Sequence, residues 1–302
     1  MKIAALDLGT NSFLCLVAEI DKLGEVKILH DEMKIVRLGQ GLGKTGEIHT
    51  EALKRADECL SSFSKLIKSF KVDHIQAVAT AAAREAKNSK KFIQICEKHQ
   101  IPLVTISGEE EALMSFQGAI SPQEDKKVLL IDIGGGSTEY IVGNIGDIEL
   151  AQSLSYGAVK LTEKWIELQP VQKEHEVNLR QYIKSRTEEL WAQIETLNPE
   201  KIWAVAGTPT SLAAAALGEF DAKKIDGYCL TEEMISSWVQ KLRASSVLEK
   251  RQKYGFGDRS DVIFAGTVIL DELLKRLRKN KIFVSTKGIR YGLAYKMARS
   301  LI

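Results

Sequence analysis

Two short stretches carry the residue types that handle phosphate. Asp7-Leu8-Gly9-Thr10-Asn11-Ser12 and Asp132-Ile133-Gly134-Gly135-Gly136-Ser137 each follow an apolar run and place Asp, Gly and Ser at the same relative positions. Glycine lets an anion approach the backbone N–H groups closely, and the serine adds a hydroxyl donor. Asp7, Gly9, Asn11 and Ser12 in the first turn, and Gly134, Gly135, Gly136 and Ser137 in the second, are therefore candidate phosphate-binding residues. Neither turn is a GxxxxGK[ST] loop or a GxGxxG fingerprint. Asp132 leads the second turn and Glu139 closes the run DIGGGSTE, so these two acids are candidates to hold Mg²⁺ or Mn²⁺ beside a phosphate, directly or through water. The five histidines show no pair at ligand spacing, which argues against zinc.

The elements that must position these turns are strands and helices in alternation. Ile3 to Leu6 and Phe13 to Ala18 read as two buried strands around the first turn, and Val128 to Ile131 leads into the second. A glycine-rich turn, Gly39 to Gly46, precedes a long helix in which Leu53, Ala56, Leu60, Phe63, Ile67 and Phe70 share one face. A strand (74–79), a helical stretch with Arg84, a helix (90–99), a strand (102–106) and a helix after Ser107-Gly108 follow. Beyond Val128 come helices at 172–197, 231–248 and 262–279, strands at 202–206 and 282–285, and a basic loop at 254–259. The alternation argues an α/β layer fold. The polar stretch 120–127, with Pro122, is the expected junction, giving domains 1–121 and 122–302, with a terminal helix, 291–302, able to pack back on the first domain. The repeated turn, recurring almost half a chain later, predicts two similar domains whose loops face each other across a cleft.

Composition excludes several classes. With 302 residues, 44% apolar and 27% charged, the chain is an ordinary globular sequence rather than a disordered or disulfide-stapled one. Its 42 basic and 40 acidic residues leave a net charge of +2, which gives no bulk reason to bind nucleic acid or membrane. Cys15, Cys59, Cys96 and Cys229 lack CxxC spacing and read as small buried hydrophobes in a reduced compartment. No apolar run approaches a membrane span, and Asp7 interrupts what a signal peptide would keep apolar, so a cytoplasmic location is expected.

The motifs DLGTNS, RLGQGL (from Arg37), TAAAREAKN (from Thr80), SGEEEALM (from Ser107), DIGGGSTE, GAVKLTE (from Gly157), AGTPTSLAA (from Ala206) and STKGIRYGL (from Ser285) stand in family order along almost the whole chain. They resemble the exopolyphosphatase and guanosine pentaphosphate phosphohydrolase family, within the superfamily of actin, sugar kinases and the large heat-shock ATPases. The resemblance implies two ribonuclease-H-like domains around a cleft, and hydrolysis of a terminal phosphoanhydride of inorganic polyphosphate. The alternatives are the 5′-triphosphate of pppGpp, cleaved to ppGpp, or a non-catalytic sensor of polyphosphate or alarmone. By motif, Glu111 matches the carboxylate that orients or deprotonates the attacking water, Arg84 adds positive charge, and Arg37 lies near the substrate phosphates. Gly207 and Thr208 match the loop that approaches a nucleotide in the wider superfamily. Lys160 stands where the family commonly has Arg, and Tyr291 where it has Glu. The chain ends at Ile302 before the extra helical domains of longer members, which points to short polyphosphate or pppGpp; plentiful basic residues, including 275–281, favour polyphosphate. A homodimer fits the family without being fixed by the sequence.

Overall fold

A computed structural model describes residues 1–301 of the chain. By its internal packing the chain divides into two units, Met1–Ala119 with Lys287–Ile302, and Ile120–Thr286.

In the first unit β1 (Lys2–Leu8) and β2 (Ser12–Ile20) pair antiparallel around the first turn, with β3 (Val26–Ile35) antiparallel on the outer edge of β2. A single helical turn, α1 (Leu42–Thr45), lies inside the glycine-rich stretch, where the sequence suggests only a turn. The long helix α2 (Thr50–Phe70) turns Ala52, Ala56, Leu60, Phe63 and Ile67 to the sheet, and Lys71 ends it in a left-handed conformation. β4 (His74–Ala79), α3 (Ala81–Glu85), α4 (Ser89–Lys98), β5 (Leu103–Thr105) and α5 (Gly108–Ala119) complete the run. The strand order is β3-β2-β1-β4-β5, with β4 and β5 parallel to β1.

The second unit repeats this arrangement. Its strands are β6 (Val128–Ile133), β7 (Thr138–Asn144), β8 (Asp147–Leu154), β9 (Lys201–Val205), β10 (Cys229–Thr231) and β11 (Lys281–Val284), in the order β10-β11-β9-β6-β7-β8. β6, β7 and β8 correspond to β1, β2 and β3; β9 and β11 take the places of β4 and β5; and β10 is an added antiparallel edge. β6 is buried at every position, which is why it reads as an unbroken apolar run rather than an alternating one. The helices are α6 (Ala158–Trp165), α7 (Lys173–Leu197), α8 (Gly207–Leu217), α9 (Ala222–Ile225), α10 (Glu232–Ala244), α11 (Val247–Gln252) and α12 (Ile263–Leu277), with a 3₁₀ turn at Gly257–Arg259. The single helix expected over 231–248 is two. Ser245 is extended, and Ser246 starts α11 with a capping box: its hydroxyl accepts from the Glu249 N–H while the Glu249 carboxylate takes the Ser246 N–H. Apolar periodicity runs on past such a cap, so the sequence conceals the break.

The last helix, α13 (Ile289–Leu301), belongs to the first unit. Ile289, Leu293, Ala294 and Met297 cover the sheet face made by Ile3, Ala5, Leu16 and Val78, opposite the face that α2 covers. α13 crosses α5 at glycines. A Cβ on Gly292 would sit 2.0 Å from the Met114 carbonyl oxygen, and one on Gly118 would sit 2.1 Å from that of Gly288. Gly292→Ala is expected to lower stability by about 1–3 kcal/mol in urea unfolding, because the obstacle is backbone and the helices must separate. An unchanged midpoint would mean that the crossing is loose.

Candidate active site

The two turns share one hydrogen bond. Gly9 N donates to Ser12 O at 3.0 Å, and Gly134 N donates to Ser137 O at 3.1 Å. In both, a Cβ on that glycine would lie 3.1 Å from the serine carbonyl oxygen. Different segments brace them. In the first unit, Val36 N and Arg37 N donate to Asn11 O at 2.9 and 2.8 Å, and Gly39 N donates to Thr10 O at 2.9 Å. The RLGQGL segment is thus laid directly on the first turn, which places Arg37 beside Asn11. Arg37 itself is left-handed, with φ of 55°, a conformation that a non-glycine residue keeps only where its surroundings hold it. Arg55 of α2 supplies that hold: its Nε donates to Val36 O at 2.7 Å and its Nη2 to Arg37 O at 3.2 Å. In the second unit the start of α6 does the bracing. Ala158 N donates to Gly134 O at 2.9 Å, while Val159 N and Lys160 N donate to Gly135 O at 3.0 and 3.1 Å. Lys160 Nζ donates to Ser155 Oγ at 2.9 Å.

Of the three acids that open α5, one is buried. Glu109 and Glu110 are exposed, whereas Glu111 is 5% exposed. Glu110 closes a capping box with Ser107: Ser107 N donates to its Oε2 at 2.8 Å and Glu110 N donates to Ser107 Oγ at 3.1 Å. Those bonds hold the Glu110 carboxyl below its ordinary pKa. Glu111, one position on, faces inward and meets Arg84 Nη1 at 3.3 Å, and the same nitrogen donates to Ile106 O at 2.8 Å. Arg84 therefore places a positive charge against a buried carboxylate within one unit.

Asp132, Glu139 and Ser153 are successive cross-strand partners on β6, β7 and β8, so their side chains share one sheet face. The two acids are 6% and 1% exposed. Ser153 Oγ donates to Glu139 Oε1 at 2.7 Å. Two neighbouring buried carboxylates form an all-oxygen donor set that fits a hard divalent cation. Among the described residues no group of three His, Cys, Asp or Glu could hold a metal ion, and two protein ligands suit Mg²⁺, which keeps several waters. The first turn has no such pair, because the position corresponding to Glu139 is Leu14, opposite Asp7.

Gly207 and Thr208 are the first residues of α8 rather than a loop. Thr208 packs on Gly266 of α12, where a Cβ would come within 2.2 Å of its hydroxyl, and the Arg259 guanidinium lies over Gly207. Burial pulls the Arg259 pKa down to about 10, which leaves it charged at neutral pH. The segment carrying Arg259 is anchored from α11. Lys250, fully buried, donates to Gln169 Oε1, and Gln169 Nε2 donates to Asp261 O at 2.7 Å. Burial pulls Lys250 from 10.5 to about 8, against the pull of Asp261 and Glu249. Between those values the unfolded chain holds the proton that the folded chain has released, so stability rises with pH across that window. Wild type is expected to gain about 3 kcal/mol over Lys250→Met between pH 8 and 10.5 in urea titrations; parallel curves would show that the lysine is not desolvated.

The basic run 275–281 is partly neutralised within the fold: Lys275 pairs with Asp271 and Arg276 with Glu195. Arg290 forks onto Asp31 at 2.7 and 2.8 Å, and the Tyr291 hydroxyl donates to the same carboxylate at 3.0 Å. Tyr291 thus helps tie α13 to β3. Arg55, Ser153 and Asp31 carried no sequence signal, because each reaches its partner through strand register or helix packing rather than through a motif.

Two units with the same strand–turn–strand core and the same order of five shared strands define a duplicated ribonuclease-H-like fold, here with a glycine–serine turn in each unit. The chain belongs to the Ppx/GppA phosphatase family, whose model matches residues 16–301. Exopolyphosphatase 2 of Mycobacterium tuberculosis is 29% identical over 98% of this chain and 98% of its own length. A bifunctional 3-dehydroquinate synthase/phosphatase of Fusobacterium nucleatum is 33% identical over 93% of this chain, which spans only 44% of that protein. Among solved structures, an exopolyphosphatase from Cytophaga hutchinsonii matches with a TM-score of 0.92 and 28% identity, covering 99% of this chain and 98% of that one. An Aquifex aeolicus Ppx/GppA family member matches with a TM-score of 0.81 and 27% identity, covering 100% and 98%.

Proposed function

We propose that this chain is a phosphoanhydride hydrolase that releases the terminal phosphate of inorganic polyphosphate. The carrying observation is that Glu111 alone of the SGEEEA acids is buried, against Arg84, in a chain matched end to end by exopolyphosphatases. In this reading Asn11 and Ser12 of the first turn, and Gly135, Gly136 and Ser137 of the second, donate hydrogen bonds to phosphate oxygens. Arg37 and Arg84 contribute positive charge. Glu111 orients a water and takes its proton as the water oxygen attacks the terminal phosphorus; the anhydride P–O bond breaks and its electron pair leaves on the bridging oxygen. Asp132 and Glu139 are the residues that would hold Mg²⁺ or Mn²⁺, whose chemistry there is to offset negative charge on phosphate oxygens.

Phosphate release measured with Mg²⁺ on short polyphosphate, long polyphosphate, pppGpp and ATP tests this. Release from polyphosphate, lost in Glu111→Gln, is the expected result. Cleavage of pppGpp alone would make the chain an alarmone phosphohydrolase, and binding without cleavage would leave a sensor.

A further inference from the structure

Ser153 belongs to none of the motifs, yet it contacts a residue on which the cation site depends. We propose that Ser153 is a positioning residue that orients the Glu139 carboxylate for a divalent cation; this rests on the reading of Asp132 and Glu139 as the cation's holders. The geometry is a three-strand row. Asp132 is opposite Glu139 across β6 and β7, and Glu139 is opposite Ser153 across β7 and β8. A serine hydroxyl has a single proton to donate, and here it goes to Glu139 Oε1 at 2.7 Å. That bond sets the plane of the carboxylate and so the direction in which Oε2 is presented.

The donor is itself held still. Leu154, its neighbour, pairs with Thr138 in the ladder, and three residues beyond Ser153 the chain is pinned to β7 twice. Thr138 Oγ1 donates to Tyr156 O at 2.8 Å, and the Tyr140 and Tyr156 hydroxyls share a fully buried hydrogen bond of 2.7 Å. These contacts hold the strand that carries Ser153 in register with Glu139. Partners that orient metal-binding carboxylates in this way are worth about 10- to 100-fold in metal affinity. A serine that only satisfied a buried carboxylate would change stability and leave cation affinity alone, which separates the two roles.

The test is Mn²⁺ binding followed by electron paramagnetic resonance on wild type, Ser153→Ala, Ser153→Thr and Glu139→Gln, with circular dichroism confirming the fold. Ser153→Ala is expected to bind Mn²⁺ about 10- to 100-fold more weakly, and Ser153→Thr, which keeps the hydroxyl, close to wild type. The Mg²⁺ concentration that half-saturates phosphate release should shift with it, and the lost rate should return as Mg²⁺ is raised. If Ser153→Ala does not fold, Ser153→Cys, similar in size and a poor donor, gives the same reading. Wild-type Mn²⁺ affinity in Ser153→Ala, with binding lost in Glu139→Gln, would overturn the role of Ser153 alone. Unchanged binding in Glu139→Gln would remove the cation reading and this inference with it.

Discussion

Glu111→Gln should fold normally and release phosphate on the order of 10² to 10⁴ times more slowly than wild type. Glutamine keeps the volume and a hydrogen-bonding oxygen toward Arg84, so the 3.3 Å contact can persist in neutral form. What it cannot do is take a proton from water. The loss should therefore fall on kcat, with KM changing little, because the substitution removes an interaction made in the transition state rather than one that holds the ground state. The exposed neighbours provide an internal control. Glu110→Gln weakens a helix cap and Glu109→Gln removes a solvated charge, so neither should change kcat by more than a few-fold. A Glu111→Gln protein within about tenfold of wild-type kcat would show that the carboxylate serves only to neutralise Arg84, well short of the usual contribution of a positioned base.

The parts of this arrangement that lie within one short segment were legible in the sequence. The paired turns were visible because each is an apolar strand, a glycine–serine turn and a second strand, and the structure gives both the same Gly-to-Ser hydrogen bond. The buried strands and α2 announced themselves through continuous or helically spaced apolar residues. β3 did not. VKILHDEMKI is an edge strand whose residues are half-buried or exposed on both faces, so no alternation marks it. Nor did spacing distinguish Glu111 from the two acids before it. The resemblance singled it out, and the structure adds that the helix turns it alone inward while the cap holds Glu110 in solvent. Contacts such as Arg55 on Val36, Arg259 over Gly207 and Arg290 on Asp31 join segments that only the completed fold brings together. The register that sets Ser153 against Glu139 depends on a hairpin whose pairing no residue type declares.

Arg180→Met is expected to destabilise the protein by about 3–5 kcal/mol at pH 7, the usual consequence of removing one partner from a buried ionic cluster. Arg180 of α7 donates from Nη1 to Glu272 Oε1 at 2.5 Å and reaches Asp271 Oδ2 at 2.7 Å, both on α12, and its Nε donates to Glu176 at 2.9 Å. Asp271 is 1% exposed and Glu272 is nearly as buried, so both carboxylates depend chiefly on protein groups for their hydrogen bonds. Burial by itself would raise the Asp271 carboxyl, but hydrogen bonds from Lys275 and Arg180 outweigh it and hold the group below its ordinary value. The sign of the pH dependence follows. In wild type this carboxylate contributes stability above the unfolded pKa, near 4, and that contribution is lost as pH falls through the lower folded value. Without Arg180 the burial effect gains weight and the folded pKa rises. The variant then takes up a proton at a higher pH than wild type, and its deficit should shrink as pH falls from 7 toward 4. Adding Asp271→Asn and Glu272→Gln to Arg180→Met should recover much of the loss at pH 7, because no unpaired charge is left in the core. Urea unfolding across pH 4 to 7 on the single and triple variants decides it. A deficit below about 1 kcal/mol, the range of exposed ion pairs, or one that stays constant with pH, would show that the cluster is hydrated.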